Sequence, residues 1–220
     1  IEEYQQRRYL PSAVRNYLCL LGWTPADGKE VLPIEEIIRQ FEISAVHQSN
    51  ARFDERKMSH VNAQTLRNLP AAEFAALARP ILLETKVIDA AVSDARLAEV
   101  LGIVQEKVVS LEHLPEFMGF FFTADFKKDE GALANLTKKG GDPVARIREL
   151  LPTLEAAAWT EPALEAAFAA VGAARERKPT DYFAPARFAI SGQGGGAHLL
   201  GVLRVLGRDT TLARLKAYAA

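Results

Sequence analysis

The sequence predicts an all-α protein built from two or three small helical units. Apolar residues recur at helical spacing through most of the 220 residues, and helix-start and helix-stop residues punctuate the chain at short intervals. A single segment, Arg187–Ile190, reads as a strand. Ile1–Tyr9 opens in helix-like sequence until Leu10-Pro11-Ser12, where Ser12 is placed to cap the next helix. That helix, Ala13–Leu21, ends at Gly22, which predicts a left-handed C-terminal cap. Trp23–Lys29 is a turn around Pro25 and Asp27-Gly28, followed by a helix over Ile34–Phe41. Phe53–Leu66 is helical up to Leu69-Pro70, and Ala71–Leu83 and Ser93–Val109 are amphipathic helices. In the second of these, Leu97, Val100, Leu101, Val104 and Val108 share one 3.6-period face.

A further helix starts near Ser110 and ends in Phe120-Phe121-Phe122, whose rings read as core residues. Phe126–Gly141 is charged and glycine-containing, with the pairs Lys127-Lys128 and Lys138-Lys139. Asp142-Pro143 marks a helix start with proline in the first turn, and Thr160-Glu161-Pro162 repeats the device ahead of an apolar face of Leu164, Phe168 and Val171. Arg175–Pro185 reads as a loop, Gly192–Gly196 as a glycine turn, and Leu199–Leu206 and Thr211–Tyr218 as closing helices.

Composition narrows the function classes. A net charge of −1, with 49% apolar and 25% charged residues, is ordinary for a globular domain. No apolar run approaches the roughly 20 residues of a membrane span. The single Cys19, read as a small buried residue, excludes an internal disulfide and a cysteine-based zinc cluster. The charge is uneven: residues 171–220 carry +5 and the rest −6, so the C-terminal stretch is either a polyanion-binding face or an ordinary solvated one. Ile1 is not an initiator, and the only methionines are Met58 and Met118, so the expectation is a piece of a longer chain.

Two motifs resemble nucleotide sites. Lys57-Met-Ser-His60 resembles the Lys-Met-Ser-Lys-Ser loop of class I synthetases, whose lysines stabilise charge on ATP phosphates. It has histidine for the second lysine, sits in helical sequence and follows no βαβ unit, so it reads as coincidence. Gly192-Gln-Gly-Gly-Gly196 precedes a helix, yet a dinucleotide fold needs about 30 residues for one βαβ unit and more beyond it, whereas 24 follow here. A tight turn exposing N–H groups beside Arg187, able to meet a phosphate or a base edge, fits better. His47, His60, His113 and His198 show no metal-ligand spacing, and no catalytic constellation stands out.

Tyr9-Leu-Pro-Ser-Ala-Val-Arg-Asn-Tyr-Leu-Cys-Leu-Leu-Gly-Trp23 resembles a segment of bacterial glutamyl-tRNA synthetases, shortly after their ATP loop. The resemblance continues in order through Ala51-Arg-Phe-Asp54, Lys57, Asn62, Ser110-Leu111, Phe122-Thr-Ala-Asp125, Trp159-Thr-Glu161, Pro185-x-Arg187, Ser191-Gly192, Leu206-Gly207 and Leu212-x-Arg-Leu215. It implies a stem-contact helical unit (residues 1–68) and a two-part helical anticodon-binding region (69–152 and 153–220). The implied parent is an ATP- and Mg2+-dependent, cytoplasmic ligase for tRNA(Glu). This portion would bind tRNA as a monomer, with no active site, cofactor or metal of its own and no DNA or membrane partner.

The resemblance also implies site residues. Lys107 stands where the family has an arginine that reads the third anticodon base; a lysine there is a point charge instead of a fork, and a solvated helix-end lysine is its other reading. Arg187, Gly192, Gly196, Ala197 and Leu199 complete the implied tRNA-binding set, although Ala197-His198 replaces the family's Gly-Pro. The alternatives are a helical protein-interaction module with no nucleic-acid role and a free-standing enzyme.

Overall fold

The structure, a computed structural model, describes residues 2–47, 52–138 and 141–220. Ile1, Ala51 and Lys139 lie outside the described residues. Among the described residues there is no strand, only an isolated antiparallel bridge between Trp23 and Val46, so the protein is all-α as expected. It divides into two compact units, Ile1–Phe117 and Met118–Ala220.

The first unit contains α1 (Glu2–Gln6), α2 (Pro11–Gly22), α3 (Ile34–Gln40), a 3-10 turn at Ile43–Ala45, α4 (Glu55–Asn68), α5 (Ala71–Glu84) and α6 (Asp94–Val104). Two further 3-10 turns, Gln105–Lys107 and Leu111–His113, lead to α7 (Leu114–Phe122), within which the division falls. α2 packs on α4 and α5 on α6. The expected face of α6 is buried at every position, Leu97, Val100, Leu101 and Val104, and Val108 joins it from beyond the 3-10 turn. Cys19 is only partly buried, packed against the cluster of Trp23, Leu32 and Ile37.

The second unit contains α8 (Glu130–Thr137), α9 (Pro143–Ala156), α10 (Glu161–Ala174), α11 (Thr180–Ser191), α12 (Leu199–Leu206) and α13 (Arg208–Ala219). α9 is the hub, packing against α10, α11 and α13. Its start is as read: Asp142 caps it by accepting the Ala145 N–H at 2.9 Å, with Pro143 in the first turn. Thr160 is the N-cap residue of α10, but its side chain makes no cap hydrogen bond. Phe120 and Phe121 are core residues, with 5% and 7% exposure.

Several expectations are corrected. The segment Arg187–Ile190 is not a strand, nor is Arg175–Pro185 all loop; both contribute to α11, with Pro185 inside the helix. Buried Tyr182, Pro185, Ala186, Ala189 and Ile190 follow the i, i+3, i+4, i+7, i+8 helical period. An interior proline costs about 3 kcal/mol, which burial of Tyr182, Phe188 and Ile190, at about 1.5–3 kcal/mol per large apolar side chain, outweighs. Gly22 is not left-handed: it ends α2, and the chain leaves extended at Trp23. There the Gly22 carbonyl accepts the His47 N–H at 2.8 Å. Ser12 does not cap α2, because Pro11 already occupies the first turn and Leu10 precedes it as N-cap. Within the charged Phe126–Gly141 stretch, α8 forms because Asp129 accepts the Gly131 and Ala132 N–H groups at 2.8 and 3.2 Å.

Candidate nucleic-acid interface

In the first unit the expected markers turn out to be one another's partners. Asn62, fully buried on α4, accepts the Leu10 N–H at 2.9 Å through Oδ1 and donates through Nδ2 to the Val109 carbonyl at 2.6 Å. Beside it, the Tyr9 and Ser59 hydroxyls share a hydrogen bond at 2.9 Å, and the Ser110 hydroxyl donates to the Arg7 carbonyl. Buried amide and hydroxyl groups need such partners, since each one left unmade costs about 1–3 kcal/mol. The result is a joint tying residues 7–10 and 109–110 to α4.

The same joint fixes the place of Lys107. Gln105 Nε2 donates to the Leu66 and Leu69 carbonyls at 2.9 and 3.0 Å, and Arg67 Nε donates to the Glu106 carbonyl at 2.7 Å. These bonds pin the 3-10 turn Gln105–Lys107 to the C-terminal end of α4, so α6 stops at Val104 instead of running on to Val109. Lys107 therefore closes a 3-10 turn on fastened backbone, with its side chain exposed and no partner among the described residues.

Lys57-Met58-Ser59-His60 lies within α4 and is committed there. Lys57 Nζ pairs with Glu30 at 2.9 Å, Met58 is fully buried, and Ser59 meets Tyr9. A mobile phosphate loop cannot be built from residues so engaged, and the lookalike reading stands on that ground.

In the second unit α11 ends at Gly192, whose φ of +70° is the left-handed cap a glycine supplies without strain. The strap Thr123–Asp129 crosses close to it. The Asp129 N–H donates to the Gly192 carbonyl at 2.8 Å, and a Cβ on Gly192 would collide with the Lys127 carbonyl and come within 3.0 Å of Lys128 Cα. Gly192 is thus a close-approach position as well as a cap. Gly195 faces open space and Gly196 has φ +134°.

Arg187, on α11, donates from Nη2 to the Ala197 carbonyl at 2.7 Å, which holds the far end of the glycine turn. Its guanidinium is half-buried, and that burial pushes its pKa below the ordinary arginine value; an arginine keeps its charge regardless. The four other donors of the fork leave it able to take a second acceptor. Ala197 and Leu199 are 4% and 2% exposed and the Ala197 carbonyl is held by Arg187, so both shape the turn from inside. The structure therefore brings Arg187, on α11, to the Gly192–Ala197 turn that leads to Leu199 at the start of α12 in the second unit, and places Lys107 in the first unit.

Sequence reasoning missed Arg214. From α13 its Nη1 donates to the Ile190 carbonyl at 2.7 Å and its Nη2 to the Thr123 carbonyl at 2.8 Å, while its guanidinium stacks 4.8 Å from the centre of the Phe126 ring. Burial lowers its pKa as well. The signal was its place in Leu212-x-Arg-Leu215, where nothing in the sequence distinguishes a surface arginine from a clamp.

Fold and site together define an all-helical module in whose second unit Arg187 and Arg214 fasten the backbone around a glycine turn. Residues 73–219 match the family described as Anticodon binding domain, and the chain belongs to that family. Residues 1–60 match the family described as tRNA synthetases class I (E and Q), catalytic domain. The chain is 34% identical over 98% of its length to the glutamate–tRNA ligase of Methylacidiphilum infernorum, covering 48% of that protein. It is 35% identical over 97% of its length to that of Mycolicibacterium smegmatis, covering 44%. It thus spans a little under half the length of these curated relatives. A crystal structure of a glutamate tRNA ligase from Elizabethkingia meningosepticum superposes with a TM-score of 0.77 at 23% identity, over 98% of this chain and 42% of that one, which shows the shared fold.

Proposed function

We propose that this chain is the tRNA-binding portion of a glutamate–tRNA ligase. It positions tRNA(Glu) while the parent enzyme attaches glutamate to it using ATP. Residues 1–68 contact the stem, and residues 69–152 and 153–220 form the anticodon-binding region, with Lys107 directed at an anticodon base and Arg187 with the Gly192–Gly196 turn at a base edge or phosphate. The observation that carries this reading is the resemblance to glutamate–tRNA ligases along 98% of the chain.

ATP and Mg2+ belong, on this reading, to the parent's nucleotide-binding fold. Lys57 and Ser59, on α4, are engaged with Glu30 and Tyr9, so the Lys57–His60 motif supplies no phosphate loop here. No helix of the described residues is long and apolar enough to cross a membrane; a monomer acting in the cytoplasm suits the parent activity.

Fluorescence anisotropy with labelled tRNA(Glu), titrated over a range of salt, tests the proposal. Each phosphate neutralised releases counterions, so log K should fall linearly with log salt at about 0.7–0.9 per phosphate. Affinity that stays constant from low to moderate salt, or that is equal for an unrelated RNA, would sink it.

A further inference from the structure

We propose that Lys127 and Lys128 form a phosphate-contacting edge of the tRNA-binding surface, and that Arg214 is the residue that positions it; this rests on the tRNA-binding reading above. The strap that carries the two lysines has no regular structure between α7 and α8, yet it is fastened along its length. Arg214 holds the Thr123 carbonyl at its start and stacks on Phe126 in its middle. The Asp129 N–H bonds the Gly192 carbonyl at its end. Gly192 leaves no room for a side chain beneath Lys127 and Lys128. Through its other bond, to Ile190, the same guanidinium locks the strap to the last turn of α11, next to Arg187 and the glycine turn.

The charges around this joint are arranged for an anion. Arg187 and Arg214 are half-buried against carbonyl oxygens or a ring, with no carboxylate partner among the described residues. Lys127 and Lys128 are exposed, also without an ion-pair partner there. Elsewhere in the same unit Arg146 faces Glu149, Arg204 faces Glu161 and Lys216 faces Glu155. The Asp129 carboxylate is turned to the N-terminus of α8, and exposed Asp125 and Glu130 offset part of the field. Four cationic residues, two of them exposed lysines, carried on backbone fastened at one glycine joint suit the phosphodiester backbone of RNA. A lysine meets a phosphate as a point charge, without base discrimination.

The test measures binding of a glutamate anticodon stem-loop to the 220-residue chain across a salt series, together with hydrogen exchange at the Asp129 amide. The double variant K127Q/K128Q should show a salt slope shallower by about 1.4, because each single-strand phosphate left without its lysine takes about 0.7 off the slope. Arg214→Lys keeps the charge but loses the planar fork whose two Nη groups serve Ile190 and Thr123 separately and whose face stacks on Phe126, so it should flatten the slope similarly and exchange the Asp129 amide faster. If Arg214→Lys fails to fold, Gly192→Ala, which displaces the strap from its other side, should give the same pair of changes. A wild-type slope in K127Q/K128Q overturns the phosphate contact. A wild-type slope and unchanged Asp129 exchange in Arg214→Lys overturn the positioning role. A wild-type chain that binds no stem-loop overturns the functional reading and the phosphate contact together, while the exchange arm still decides whether Arg214 holds the strap.

Discussion

Arg187 and Lys107 carry the same formal charge on very different supports. Arg187 is half-buried, with one donor already fixed on the Ala197 carbonyl, so its fork has a set direction; a good bidentate base contact is worth about 1–3 kcal/mol. Lys107 is a mobile point charge on a fixed turn. Arg187→Ala should therefore weaken stem-loop binding about tenfold or more, and Lys107→Ala by less, with helical circular dichroism retained in both. Equal binding by a folded Arg187→Ala chain would remove the site from α11. Asn62 makes a stability prediction of the same kind. Asn62→Ala strands the Leu10 N–H and the Val109 carbonyl, so urea unfolding should show a loss of about 2–4 kcal/mol. A loss below about 1 kcal/mol would mean that these groups find other partners.

The elements show which sequence signals survive folding. Amphipathic periodicity placed α4, α5, α10 and α12 within a few residues, because their apolar faces are what the core buries, but it ran α6 on to Val109, past its end at Val104. Proline and glycine punctuation misled at α11 and Gly22, since tertiary burial overrode a local penalty in the first and the extended exit at Trp23 removed the need for a cap in the second. The helix starts also separate real caps from apparent ones. Asp142→Ala removes a side-chain bond to the Ala145 N–H and should cost about 1 kcal/mol. Thr160→Ala removes no cap bond and should change stability by only a few tenths. Thermal unfolding of the two variants checks this, and equal losses would contradict the cap assignment.

For the whole molecule, the turn that presents Arg187 was legible because glycines beside an arginine are a local pattern. The joints that hold it were not, because Arg214 meets Thr123 and Ile190 from far along the chain, as Asn62 meets Leu10 and Val109. Uneven charge was legible too, but only the fold separates cations facing carboxylates from those facing carbonyls or solvent. With Lys57 and Ser59 engaged in α4, the purified chain should support no ATP–pyrophosphate exchange, even with tRNA(Glu) and glutamate present; turnover above background would contradict the assignment of the chemistry to the parent. The most direct measurement of the central claim is a chemical footprint of tRNA(Glu) with the 220-residue chain. The account predicts protection of anticodon-loop bases that disappears as salt is raised and is weakened by Arg187→Ala. An anticodon loop that stays fully reactive at protein concentrations saturating for binding would contradict it.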